Sequence, residues 1–231
     1  MNIRIDQRFR GPPDSGNGGY VAGLLASALG GSNIEVTLRS PPPLEVELDL
    51  EADGDKARLL HGETLIAAAV RSAVEVDVPA PPRFAEAEDA EARFAGLGYH
   101  LFPGCFVCGP DRAAGDGLRI FAGRIEPGGT VASTWIPGDA LADGDGKVAA
   151  EYLWSALDCP GYFAVREAAG MALLGRIGAV IHRRPEARER LIVTGWPIGR
   201  DARKHRVGTA LHDERGELVA AAQATWISLK N

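Results

Sequence analysis

The sequence predicts an α+β protein made of two similar units in tandem, each with a long helix set against one face of an antiparallel sheet. Three observations carry that prediction. Asn17-Gly18-Gly19-Tyr20-Val21-Ala22-Gly23-Leu24-Leu25-Ala26-Ser27-Ala28-Leu29 aligns without gaps on the stretch from Ala149 when Tyr20 is set on Tyr152. Farther on, Gly62-Glu63-Thr64-Leu65-Ile66-Ala67-Ala68-Ala69 matches Gly216-Glu217-Leu218-Val219-Ala220-Ala221-Ala222. Segments of period-two alternation, the pattern of half-buried strands, follow each helix. Two matches in the same order point to duplication, with extra residues in the second copy around 161–190.

In chain order, a short strand is expected near residues 3–9, then the turn-rich Gly11-Pro12-Pro13-Asp14-Ser15-Gly16, then the first helix, ending at Gly30-Gly31. Strands follow at Ile34–Arg39, Leu44–Leu50, Lys56–Leu60 and Thr64–Val78, the last two joined by a tight hairpin at His61-Gly62-Glu63. The first unit is placed at residues 1–80 and a proline-, acid- and alanine-rich linker with a short helix at 81–104. The second unit, 105–231, repeats the order. It has a hairpin of Leu118–Ile125 with Thr130–Ile136, a Gly/Asp-rich loop, the second helix, and strands at Arg176–His182, Leu191–Ile198, Arg206–Asp213 and Leu218–Leu229.

Composition narrows the class. With 231 residues, 45% of them hydrophobic and 24% charged, the chain is long enough for one large core or two small ones. A net charge of −6 argues against a nucleic-acid partner. No apolar run spans a membrane, and the alternating N-terminus lacks the apolar core of a signal peptide, so a cytoplasmic protein is expected. Three cysteines, Cys105, Cys108 and Cys159, are too few for a disulfide framework.

One residue stands out in the second helix. Leu153, Ala156, Leu157 and Ala164 form a core-facing stripe, yet Asp158 falls inside this run, just before Cys159-Pro160, where proline bends or ends a helix. Caps belong at helix starts, and Asp158 follows about three turns of helical pattern, which favours a working carboxylate over a cap. The two helices also divide their features. The first carries Asn17-Gly18-Gly19 where the second has Ala149-Ala150-Glu151, and the second carries Asp158 where the first has Ala26.

This order of elements resembles the hotdog-fold superfamily, in which an antiparallel sheet wraps a central helix; two copies on one chain imply a double hotdog. The second half is similar to the phenylacetate-pathway type of acyl-CoA thioesterase. The likeness rests on Cys105-Phe106-Val107-Cys108-Gly109-Pro110, on Gly117-Leu118-Arg119-Ile120-Phe121 and on a helix ending Ala156-Leu157-Asp158. That family commonly has His-Gly-Gly at the helix start, where the first half has Asn17-Gly18-Gly19, and neither half holds the full signature. The resemblance implies an acyl-CoA thioester hydrolase with one composite site, acid from one unit and glycine-rich helix start from the other. Backbone N–H groups of Gly18 and Gly19, at the positive end of a helix dipole, would polarise the thioester carbonyl. One such donor is typically worth about 3–4 kcal/mol. Asp158 would act as general base or nucleophile.

Other readings stay beside this one. Gly18-Gly19 also suits a tight turn, Asn17 suits an N-cap as well as a catalytic side chain, and Glu151 suits a helix start. Cys105 and Cys108 are read as structural thiols, because zinc needs two further ligands and, of five histidines, only His100 is close in sequence. No metal or other cofactor is therefore expected, and coenzyme A enters as part of the substrate. Tyr20 and Trp154 are assigned to the acyl pocket, and Arg200, Arg203, Lys204 and Arg206 to the phosphates of coenzyme A, ahead of a second basic cluster at His182, Arg183, Arg184, Arg188 and Arg190. The alternative function is a non-catalytic acyl-thioester-binding protein. A hydroxyacyl dehydratase fits less well, since neither helix supplies a histidine. Fused hotdogs often pair again through sheet edges, so a homo-oligomer is a further expectation.

Overall fold

A computed structural model describes residues 1–30, 32–125 and 128–230. Strand β1 (Asn2–Arg4) is short, because Asp6 accepts from the Arg8 N–H at 2.7 Å and turns the chain into a single helical turn at Gln7–Phe9. After the proline turn, Asn17 starts α1 (Gly18–Ala28) by accepting the Tyr20 N–H at 2.9 Å. The helix closes at Gly30, whose φ of +65° suits glycine; Gly31 lies outside the described residues.

Four antiparallel strands follow: β2 (Ile34–Leu38), β3 (Glu47–Asp53), β4 (Lys56–His61) and β5 (Thr64–Arg71). Two depart from the bounds that the alternation predicts, β3 by a shift and β5 by shortening. β3 begins three residues late because Glu45 has a φ of +61°. β5 stops at Arg71, where Asn33 takes over the backbone donors of Ser72 and Val74. The linker segment carries α2 (Phe84–Glu91), which buries Phe84, Ala87 and Ala90.

In the second half the expected strand over 118–125 shrinks to β6 (Gly123–Arg124), paired with β7 (Val131–Trp135). Leu118 and Ile120 instead donate their N–H groups to Phe106 and Val107 at 2.8 and 2.9 Å, and Arg119 between them has a φ of +53°. The second helix breaks in two, α3 (Ala150–Ala156) and α4 (Cys159–Ala169), with Pro160 in the first turn of α4. β8 (Ala172–Ile181), β9 (Leu191–Asp201), β10 (Lys204–Asp213) and β11 (Leu218–Ser228) complete the chain.

Among the described residues, eleven strands join one sheet in the order β1-β3-β4-β5-β2-β8-β11-β10-β9-β7-β6. Each half lays its strands down in the same sequence about its helix, and β2 and β8 meet antiparallel at the seam, with Ile34 opposite Ala179 and Thr37 opposite Arg176. α1 packs beside α3 beneath this sheet. Glycines permit the approach: a Cβ on Gly19 would stand 2.6 Å from the Trp154 carbonyl oxygen, and one on Gly23 would collide with the Cα of Glu151. Gly19 meets the end of α3 and Gly23 its start, so the helices run antiparallel and the first turn of α1 faces the break before α4. No helix among the described residues is long and apolar enough to cross a membrane.

Candidate active site

The break between α3 and α4 delivers Asp158 to the start of α1. Asp158 does occupy a cap position, at the head of α4, but its side chain makes no capping bond there. It turns instead to the other half of the chain, where one carboxylate oxygen, Oδ2, accepts from Asn17 Nδ2 at 2.8 Å and from the Gly19 N–H at 3.0 Å. The second oxygen, Oδ1, is buried with no partner among the described residues. Asp158 is 1% exposed, and burial pushes its carboxyl up to about 7 against the opposing pull of the Gly19 and Asn17 donors.

Asn17 therefore has two roles that the sequence reading treated as alternatives. Its Oδ1 caps α1 while its Nδ2 holds Asp158. Neither Gly18 nor Gly19 has a positive φ, so a permissive turn is not why glycine stands there. Gly19 lets α3 approach, and its N–H is taken by Asp158, which removes it from the two donors assigned to a substrate carbonyl. Gly18 N–H has no acceptor among the described residues, and Gly18 lines the cavity beside Asp158.

That cavity has a volume of about 550 Å³. Its wall draws on the turn at 11–18, the end of β2, residues 100–108, the start of α4, the start of β8 and the end of β11, so both halves build it. Its lining is mostly apolar, with Leu38, Phe102, Phe163 and Leu174 prominent. Three lining residues hold a buried polar atom without a partner among the described residues: Asp158 Oδ1, His100 Nε2 and Trp226 Nε1. An apolar chamber with a few unsatisfied polar groups has the make-up of a ligand site.

Tyr20 and Trp154 do not line it. Tyr20 stacks on Phe9 with ring centroids 4.1 Å apart and lies beside Phe106 and Tyr152, while Trp154 is enclosed in the core. Burial raises the Tyr20 phenol, which fits a packing residue. Helical spacing put both near the helix pair without fixing which side they face. Arg200, Arg203, Lys204 and Arg206 are exposed around the β9–β10 hairpin. None of the four lines the cavity; Arg203 Nη1 donates to the Ser228 carbonyl at 3.0 Å, between the cavity-lining Ile227 and Leu229. The second basic cluster is occupied: Arg183 pairs with Glu189, Arg184 with Asp143, Arg188 with Asp139 and Arg190 with Glu214.

The sequence reading took Cys105 and Cys108 as structural thiols and did not bring Cys159 to them. Cys105, Cys108 and Cys159 all line the cavity, all are buried, and their Sγ atoms lie within 4.8 Å of one another. Cys105 is drawn well below the usual thiol range by the neighbouring Cys108 and Cys159 side chains. Burial pushes Cys108 up, and the bond to Cys105 does the same for Cys159. The signal lay in Cys159 being next to Asp158; spacing along the chain hid its meeting with the CxxC.

This arrangement is a double hotdog, a sheet wrapping the central helices of two units with a cavity at their junction. No protein-family model and no curated protein matches the chain. Among solved structures it is similar to a hot dog fold protein of Alicyclobacillus acidocaldarius, with TM-score 0.64 and 11% identity over 100% of this chain and 93% of that one. A protein of Thermobifida fusca assigned as a thioesterase II gives TM-score 0.63 and 14% identity over 99% and 92%. The TesB protein of Mycobacterium avium subspecies paratuberculosis gives 0.61 and 13% over 93% and 88%. Likeness at these identities establishes the fold; the chemistry rests on the site.

Proposed function

We propose that the chain hydrolyses acyl-CoA thioesters at this one composite site. The observation that carries the reading is the meeting of Asp158, from the second half, with Asn17 and the first turn of α1, from the first half, on the wall of an apolar cavity. In this reading the thioester carbonyl sits against the Gly18 N–H at the positive end of α1, and the acyl chain fills the apolar part of the chamber. The ionised Asp158 takes a proton from water as the hydroxide adds to the carbonyl carbon, and the intermediate collapses by expelling the coenzyme A thiolate. Direct attack by the carboxylate, followed by hydrolysis of the anhydride, is the other route open to the same residue. Asn17 and Gly19 hold the carboxylate in place. Arg39 in the cavity lining, with Arg203 and Lys204 on the nearby hairpin, would meet the phosphates. The name of one neighbour of similar length, a thioesterase II, supports the reaction class.

One observation favours a second reading, an acyl-thioester-binding protein without turnover: the Gly19 N–H is already given to Asp158, leaving a single helix-start donor for an oxyanion. The test is thiol release from a panel of acyl-CoAs, measured beside thermal shifts with the same compounds and with coenzyme A. Hydrolysis that disappears in Asp158→Asn while the shifts persist supports the enzyme. Shifts without thiol release from the wild type support the binding protein.

A further inference from the structure

The three cysteines are not used by the chemistry above, and their geometry asks for its own account. We propose that Cys105, Cys108 and Cys159 form a three-sulfur site for a thiophilic metal ion such as zinc(II), with the fourth coordination position turned to the cavity. Cys105 and Cys159 Sγ are 3.8 Å apart, and all three Sγ atoms fall within 4.8 Å of one another. Four-coordinate zinc with bonds of about 2.3 Å sets its sulfurs about 3.8 Å apart, so one edge already has the required length. The three residues come from distant parts of the chain, a turn before β6 and the head of α4, yet all are 6% exposed or less.

The turn that presents two of them is built as a chelating loop. Gly109 N–H donates to the Cys105 carbonyl at 2.9 Å, and a Cβ at Gly109 would stand 2.5 Å from the carbonyl oxygens of Cys105 and Pro103. Only glycine lets the loop close this tightly. Its backbone is pinned on both sides, Phe106 donating to the Arg10 carbonyl at 2.8 Å while Phe106 and Val107 accept from Leu118 and Ile120. The buried Arg112 guanidinium adds a bond to the Gly104 carbonyl at 2.9 Å. The sulfurs are thus held before any ion arrives, which lowers the cost of binding one.

The surroundings fit thiolates. Asn17 Nδ2 lies 3.9 Å from Cys105 Sγ and 4.0 Å from Cys159 Sγ, an amide donor aimed at two sulfurs, as outer-shell donors are in metal sites. Sulfur makes only weak hydrogen bonds, whereas a shared cation uses all three thiolates. No other His, Cys, Asp or Glu among the described residues joins the group. Asp158 therefore keeps its own partners, and the fourth ligand is a water or a group brought in by whatever occupies the chamber.

The test needs no substrate, so its failure is separate from failure of the hydrolase reading. The full chain is purified under reducing conditions without chelator, and its zinc is counted by mass spectrometry. Protein stripped with a chelator, its three thiols confirmed reduced, is then titrated with zinc(II) and cobalt(II). One zinc per chain, a sulfur-to-cobalt charge-transfer band and a raised melting temperature are expected. Cys105→Ser, Cys108→Ser and Cys159→Ser should each weaken cobalt(II) by more than the roughly tenfold that an outer-shell change costs, and Asn17→Ala by about that tenfold. If a serine variant does not fold, the wild-type stoichiometry and spectrum decide. Reduced wild type that takes up neither ion overturns the proposal, and so does uptake that the serine variants share unchanged.

Discussion

Gly23→Ala tests how the site is assembled, because Gly23 touches neither the cavity nor any atom of Asp158. The new Cβ would lie 2.9 Å from Glu151 Cβ and 3.1 Å from the Glu151 carbonyl oxygen, besides colliding with its Cα. Carbon atoms settle at about 3.5–4.0 Å, so α1 and α3 must part by about 1 Å. The same movement stretches the 2.8 and 3.0 Å bonds to Asp158, one turn along the helix, toward about 4 Å, past hydrogen-bond range. Overpacking costs about 1–3 kcal/mol, and each bond lost by the carboxylate about 1.5–3 kcal/mol more. A misplacement of about 1 Å costs turnover about 100-fold. Urea unfolding followed by circular dichroism reads the first effect, and thiol release at saturating acyl-CoA the second. Gly138→Ala is the control, since a Cβ there meets nothing within 4 Å. A Gly23→Ala protein with the wild-type unfolding midpoint and wild-type kcat would refute this account of the helix pair.

Three further outcomes follow from the site. Asp158→Asn should stabilise the protein above neutral pH: the folded carboxyl titrates near 7 and the unfolded one near 3.8, so ionisation favours the unfolded chain as pH rises between them. The penalty removed is at most about 4 kcal/mol, and melting curves from pH 4 to 8 that run parallel for the two proteins would contradict it. Hydrolysis by the wild type should climb with pH through about 7 as Asp158 loses its proton; a rate that is flat from pH 5 to 8 would show that another group does the work. Arg203→Glu combined with Lys204→Glu should raise KM for acyl-CoA and leave kcat in place. An unchanged KM removes the hairpin from the substrate path.

The fold was largely legible, and the reason lies in repetition. The helix and hairpin matches located both units, and positive φ at Gly62 and Gly216 puts the matched glycines at the β4–β5 and β10–β11 turns. Strand ends were less legible where a single residue broke the ladder, as Glu45 and Arg119 do, because nothing in their composition announces a left-handed backbone. Within the site, Asp158, Asn17 and Gly19 could be singled out since a charge in an apolar run and a capped glycine pair are local signals. Their mutual bonds were not readable, being set by the crossing of two helices. The same limit explains Tyr20 and Trp154, placed in the acyl pocket by helix position and found in the core, and Cys159, whose sulfur partners lie more than fifty residues upstream.

The seam between β2 and β8 acts as the gauge for the whole site. Those strands come directly after α1 and α4, and four opposed pairs, from Ile34 with Ala179 to Thr37 with Arg176, lock them together. Sliding one strand by a single residue would carry its helix about 3.3 Å along the sheet and exchange its inner and outer faces. The backbone pairing thus measures out the spacing between the carboxylate and the amides that receive it, and the same two strands run straight on from their paired residues into the chamber wall at Leu38 and Leu174.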